Sequence, residues 1–265
     1  MNTKLLWVLC SCLLICTTSF TTIKNTTLLN DHSKNPHVLI YTKNGEGYVH
    51  KNIENSVKAL KKLLEENQMT YDVSEDPSLF TESNLRKYDL LIFSNTNNDV
   101  FDNDTQRQAF QKYIQNGGGF VGIHSASGSE RSWPWFWAML GGKFLRHSKF
   151  QRFNVVKIDP NHPSATPVPD YWEREDESYY LQELNPDIHV ILATDLTSID
   201  DPQAHEEYPA NTFGKYFPVT WCHEFDGGYQ WYTSLGHSPE DYDDPVFMNH
   251  ILGGIQWVLK ARTNP

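Results

Sequence analysis

The sequence predicts an α/β fold, a doubly wound and mostly parallel sheet, on three observations. Between residues 37 and 123 short apolar runs alternate with amphipathic helical stretches, and parallel strands need such crossovers because a tight turn cannot join them. The middle third lacks helical periodicity and reads as a β-rich excursion inserted in that frame. Near the C-terminus a β-hairpin precedes one long amphipathic helix.

Taken in order, His37 to Thr42 is an apolar run between Pro36 and the turn residues Lys43 to Gly47, and reads as a buried strand. From Lys51 to Asn67, the residues Ile53, Val57, Leu60 and Leu64 recur at helical spacing. Strands follow at Thr70 to Val73 and Tyr88 to Ser94. Asn103, with Gln106 three residues on, offers a helix cap; Phe110, Tyr113 and Ile114 form the apolar face, and Gly117 to Gly119 stop the helix. Phe120 to Ile123 is the next buried strand. Gln151 to Ile158 alternates like a strand exposed on one side, Asn161 to Asp170 is proline-rich, and Ile188 to Thr194 is apolar again. Pro218 to Phe225 and Tyr229 to Leu235 flank Asp226-Gly227-Gly228, a hairpin turn. Asp244 then caps the final helix with Pro245 in first position, and Phe247, Ile251, Ile255 and Val258 line one stripe.

Residues 1–20 carry a single charge, Lys4, followed by an apolar stretch from Leu5 to Cys16 and the small polar run Thr17 to Ser19. This is the layout of a secretory signal peptide, and the stretch is shorter than the roughly 20 residues a membrane-spanning helix needs. Export to the periplasm or cell envelope is therefore expected, with Cys12 as the candidate for a lipid anchor and no other membrane attachment. Cys222 alone lies outside that segment, so the exported chain has no intramolecular disulfide. Residues 36–262 read as one domain without linker or repeat. A net charge of −11 argues against nucleic acid as a partner, since phosphate binding needs clustered Lys and Arg. Aromatic residues make up 13% of the chain, and the bunched Trp133, Trp135 and Trp137 are open to two readings, core packing or stacking on sugar rings.

In open α/β sheets ligands bind at the carboxyl ends of the strands. The residues placed there are His50 after the first strand, Asn95 after the third, His124 and Ser125 after the fourth, and His237 after the hairpin. Imidazole is a common neutral metal ligand and titrates near neutrality, so several at one sheet edge point to acid-base or metal chemistry. The expected catalytic residues are His124, His237 and Glu177, the last at the end of an acidic run and beside Tyr179. His50, Asn95, Ser125, Tyr179 and Trp221 are the expected substrate contacts. His124, His223 and His237 are candidate ligands of a divalent metal such as zinc. Strand alternation puts Trp221 and His223 on one face and Cys222 on the other; His223 either faces the site or merely pairs across the hairpin. A nucleophile elbow would place Ser or Cys where Gly122-Ile123-His124-Ser125-Ala126 has histidine, which excludes a cysteine amidotransferase mechanism.

The segments GGGFVGIHSA (Gly117 to Ala126), GGKFLRH (Gly141 to His147), His162-Pro163, DESYY (Asp176 to Tyr180) and PVTWCHEFDGGYQWYTSLGHSPEDYDDP (Pro218 to Pro245) together resemble the ThuA-like, trehalose-utilisation family. The resemblance runs from about His37 to the last helix and implies a class I glutamine amidotransferase-like, flavodoxin-like fold whose catalytic cysteine is lost, in keeping with histidine at position 124. It also implies action on trehalose-type disaccharides through oxidised 3-keto-glycosides, alongside a sugar oxidoreductase of the same pathway. The alternative is a non-catalytic carbohydrate-binding or accessory subunit using the same pocket.

Overall fold

The computed structural model describes residues 35–202 and 214–263; the expected signal segment lies outside them. The first strand β1 (His37–Tyr41) alternates strictly, with Val38 and Ile40 in the core on one face and Leu39 and Tyr41 in the core on the other. Helix α1 (Ile53–Glu66) follows, then β2 (Thr70–Ser74), a single turn α2 (Glu82–Leu85), and β3 (Leu90–Ser94). Asn103 caps α3 (Asp104–Gln115) as expected, accepting from the Gln106 backbone N–H at 3.1 Å, and Gly117 leaves the helix at φ +85°.

Next come β4 (Gly119–Ile123), α4 (Pro134–Leu140), β5 (Lys143–His147), β6 (Gln151–Lys157), β7 (Tyr171–Asp176), β8 (Tyr179–Gln182) and β9 (His189–Asp195). The hairpin β10 (Tyr216–Phe225) and β11 (Gly228–Thr233) and the last helix α5 (Pro245–Thr263) complete the chain. The turn residues Asp226 and Gly227 both have positive φ, the two-residue geometry that matches strand twist.

The main sheet has nine strands in the order β2-β1-β3-β4-β11-β10-β9-β6-β7. Its first five strands are parallel; β10, β9, β6 and β7 extend it antiparallel, and these include the β-rich excursion. β5 and β8 form a separate two-stranded sheet. Helices cover both faces of the parallel half: α1 and α5 pack on one core cluster, α3 and α4 on the other. The α5 stripe of Phe247, Ile251, Ile255 and Val258 is fully buried, each side chain contributing about 1.5–3 kcal/mol of apolar transfer energy. No helix among the described residues is long and apolar enough to cross a membrane.

Two points that the sequence leaves open are decided by the packing. The tryptophan cluster belongs to α4 and its entry, where Trp133 and Trp135 stack at 5.1 Å between ring centroids and the Trp135 and Trp137 indoles donate to Asp226 and to the Glu130 carbonyl. These rings pack against the core edge and do not line the cavity described below. The acidic run divides between two faces: Glu173 and Glu175 are exposed, but strand alternation turns Asp176 fully inward.

Candidate functional site

Strands β3 and β4 lie side by side and end in register, Ser94 opposite Ile123, and the next residue on each, Asn95 and His124, adopts a left-handed backbone (φ 55° and 52°). Such a conformation strains a histidine and persists only where the surroundings impose it. Here the Tyr232 hydroxyl donates to the His124 carbonyl at 2.8 Å, and the His124 ring is fully buried. Its Nδ1 lies 2.8 Å from the Ser234 carbonyl, which can only accept, so Nδ1 carries the proton and Nε2 presents a lone pair.

Three groups surround that lone pair. The Tyr179 hydroxyl lies at 2.8 Å, His50 Nε2 at 3.2 Å and His237 Nδ1 at 3.3 Å. The ligand nitrogens of His50, His124 and His237 all fall within 4.8 Å of one another. Burial holds His124 neutral, well below the usual imidazole range, and lowers His50 to about 4, with the neighbouring imidazoles adding to the effect. His237 moves the other way because Glu177 accepts from it, Nδ1 to Oε2 at 3.1 Å. The second Glu177 oxygen lies 3.4 Å from His147 Nδ1. Burial raises the Tyr179 phenol well above its ordinary value, so it stays a donor.

The donor set fits a divalent cation. One lone pair needs one donor, yet three polar groups converge on the His124 nitrogen. Zinc–nitrogen bonds of about 2.0–2.1 Å at tetrahedral angles separate ligand nitrogens by about 3.3 Å, which the His124 contacts at 3.2 and 3.3 Å match. Three histidines beside an open position form the donor set of catalytic zinc sites. His50, His124 and His237 would hold the ion, with the Ser234 carbonyl orienting the His124 ring; His237 Nδ1 would have to give up the proton it shares with Glu177 to join them.

Through His50 the trio meets a cavity of about 340 Å³, lined also by Tyr48, Asn97, Ser125, Arg131, Phe144, His147, Glu177 and Tyr179 among others. The buried Ser125 Oγ has no hydrogen-bond partner, as suits a group awaiting a ligand hydroxyl. Behind the site, Asp176 accepts from the backbone N–H of Gly236 (2.9 Å) and of Glu177 (2.7 Å), clamping both loops that carry functional side chains. Asn52 Nδ2 reaches the Gly236 carbonyl, the His237 carbonyl and Asn95 Oδ1 at 2.7, 2.9 and 2.9 Å.

The structure thus brings together His50, His124, Ser125, Glu177, Tyr179 and His237, and leaves three candidates outside. His223 is corrected as a metal ligand. β10 runs antiparallel to β11, so His223 lies opposite Gln230, which pairs with Phe120 at the amino end of β4. At about 3.3 Å per residue that is roughly 13 Å short of the His124 level, and His223 Nε2 donates to the Met139 carbonyl at 2.8 Å. Trp221 is corrected as a substrate contact: it is fully buried against Tyr232, and its indole donates to the Leu140 carbonyl at 2.8 Å. Gly141, at φ +106°, makes room for it, since a Cβ there would sit 2.2 Å from the indole nitrogen. Asn95 is corrected likewise: fully buried, it bonds Tyr242 and Asn52, and Asn97 reaches the cavity instead. Cys222 does occupy the face opposite Trp221, with burial raising its thiol to about 12. Sequence reasoning missed Tyr48, Asn97, Arg131, Phe144 and His147 as cavity residues; only His147 and Phe144, inside the GGKFLRH motif, carried a signal.

Comparison with known proteins matches the chain to a family. The ThuA family model, described as trehalose utilisation, matches residues 37–258. A solved ThuA-like protein from Bacteroides uniformis ATCC 8492 aligns at TM-score 0.67 and 24% identity, over 85% of this chain and 93% of its own. Another from Parabacteroides merdae ATCC 43184 aligns at TM-score 0.65 and 19% identity, over 86% and 91%. At these identities the two structures speak to the fold alone. The comparison with curated proteins found no match.

Proposed function

Because the chain belongs to the ThuA, trehalose-utilisation family, we propose that it is a sugar-modifying enzyme acting on oxidised, 3-keto sugars or glycosides of the disaccharide type. One observation carries the reading: three imidazole nitrogens converge within 4.8 Å, and one of the three rings, His50, lies on the wall of a cavity that also holds a carboxylate. A binding module has little use for that set. A divalent cation such as zinc, held there, supplies Lewis-acid polarisation of a ketone oxygen and so acidifies the neighbouring C–H.

The chain's own residues do the rest. Glu177, placed by imidazoles at both oxygens, takes the proton from the carbon beside the ketone. Returned by the same carboxyl to the former ketone carbon, while the hydroxyl proton of the first carbon passes to the ketone oxygen, that proton completes an isomerisation. Delivered to a glycosidic oxygen β to the ketone as its C–O bond breaks, it completes an elimination. Tyr179 stays protonated beside the His124 nitrogen, free to turn its O–H to a ligand oxygen when that nitrogen holds the ion, and Ser125 Oγ offers a hydrogen bond to a sugar hydroxyl.

Purified protein supplied with a 3-keto-disaccharide tests this. Turnover is expected to disappear after chelation and to return with zinc or a related divalent ion. Full turnover by metal-stripped protein would remove the metal from the scheme, and saturable binding with no turnover under any metal would favour the accessory-subunit reading.

A further inference from the structure

Arg131 stands in the wall of the same cavity, and nothing in the scheme above uses it. The residue is exposed, yet its guanidinium is held in place. Nε donates to the Gly128 carbonyl at 3.0 Å, Nη2 donates to Asn97 Oδ1 at 3.2 Å, and the group lies 5.4 Å from the centroid of the Phe144 ring. Asn97 is itself buried and fixed, its Nδ2 donating to the Tyr48 carbonyl at 3.1 Å. Gly128 is part of the same fitting, since a Cβ there would meet Asn97 Oδ1 at 2.4 Å and Arg131 Nη2 at 3.3 Å.

No carboxylate among the described residues pairs with this cation. The adjacent Glu130 is buried and already engaged by Arg107 Nε at 2.7 Å and by the backbone N–H groups of Val100 and Phe101. Glu177 is held between His237 and His147. In a chain with 33 acidic and 22 basic residues, a fixed guanidinium without a counter-ion inside a cavity is an unusual placement. Of the five N–H groups a guanidinium carries, two are committed and the Nη1 amino group is open, with its ordering cost met before any ligand arrives.

We infer that the cavity takes a sugar bearing an anionic group, a carboxylate or phosphate ester, and that Arg131 receives that group. This rests on the reading of a sugar site but not on the metal chemistry. A guanidinium offers such oxygens paired N–H groups in a planar fork, whereas lysine offers a point charge.

Calorimetric titration of the full chain with glucuronate, glucose 6-phosphate and glucose tests the inference, in chelator so that no metal can hold the anion. Glucuronate, glucose 6-phosphate or both should bind roughly tenfold or more tighter than glucose, as a charge-assisted hydrogen bond allows. The tighter of the two identifies the anion. Arg131→Gln should remove the preference, and Arg131→Lys should keep part of it. Raising the salt concentration should shrink the preference in the wild type, which keeps the test open should a variant fail to fold. Equal or tighter binding of glucose, binding of none of the three, or a preference that survives in Arg131→Gln would overturn the inference. Loss of chelator-sensitive turnover alone would count against the metal reading and leave this one standing.

Discussion

His124 combines a strained backbone with a ring whose tautomer the Ser234 carbonyl imposes. The strand-to-helix turn that presents a nucleophile in hydrolases here presents an imidazole lone pair toward His50 and His237. Asparagine tolerates the left-handed conformation, so His124→Asn separates ligand loss from backbone strain. The variant should keep its far-ultraviolet dichroism and unfold cooperatively, while retained zinc, read by elemental analysis after desalting, drops to background. Wild-type zinc content in a folded His124→Asn protein would sink the site. The same residue-level logic explains Ser125, whose orphan Oγ is tolerable because a cavity lies in front of it.

The site also depends on how elements end. β7 stops at Asp176, and the chain then turns through Glu177 into β8, which brings Tyr179 under His124. Asp176 ties that turn to the loop after β11, and Arg174 braces the neighbouring loop through Asp241 and through Asp244 at 2.8 Å. Removing Asp176 frees the supports of Glu177 and His237 together but touches neither His50 nor His124. Asp176→Ala is therefore expected to weaken zinc roughly 10- to 100-fold, the usual cost of losing outer-shell support, and to leave the buried Gly236 N–H unsatisfied at a cost of about 1–3 kcal/mol. Competition against a chromophoric chelator reads the first effect and denaturant unfolding the second. An unchanged zinc affinity in a destabilised protein would show the clamp to be structural only.

Over the whole molecule, buried imidazoles on the face opposite Trp221 couple folding to pH. His250 bonds the Ser164 carbonyl at 2.6 Å and Thr220 at 3.2 Å, and His162 bonds Ser164 at 2.8 Å. Burial lowers His250 to about 3 and His162 to about 4. Below an unfolded value near 6.5 the unfolded chain takes up protons that the folded chain refuses, so stability falls as pH drops. Asp176 opposes this: burial raises it to about 7, so the folded chain binds its proton first and gains stability on acidification. His50, lowered to about 4, and His124 act in the same direction, so the buried histidines outweigh the one carboxyl and stability falls between pH 7 and pH 5. Urea unfolding of metal-free protein at the two pH values measures it, and a midpoint that rises toward pH 5 would contradict the balance.

The amphipathic stripes of α1, α3 and α5, the hairpin turn and the parallel frame were legible in the residues because periodicity and capping are local properties of a chain. So was the arrival of His50, His124 and His237 at one sheet edge, since each follows the end of a strand by a few residues. Only the tertiary structure decided which histidine completes the trio. Alternation along β10 correctly sets Cys222 apart from Trp221 and His223, but it says which face a side chain takes, not how far along the sheet it sits. The antiparallel register sends His223 to the far end of the sheet, so His50 is the histidine that joins His124 and His237. Helix α4 was hidden because the three tryptophans that flank and fill it follow no single helical stripe, and Arg131 was hidden because its significance lies in having no carboxylate partner among the described residues. Pairing and the lack of it are properties of the folded molecule, set by segments that meet only when the sheet has closed over them.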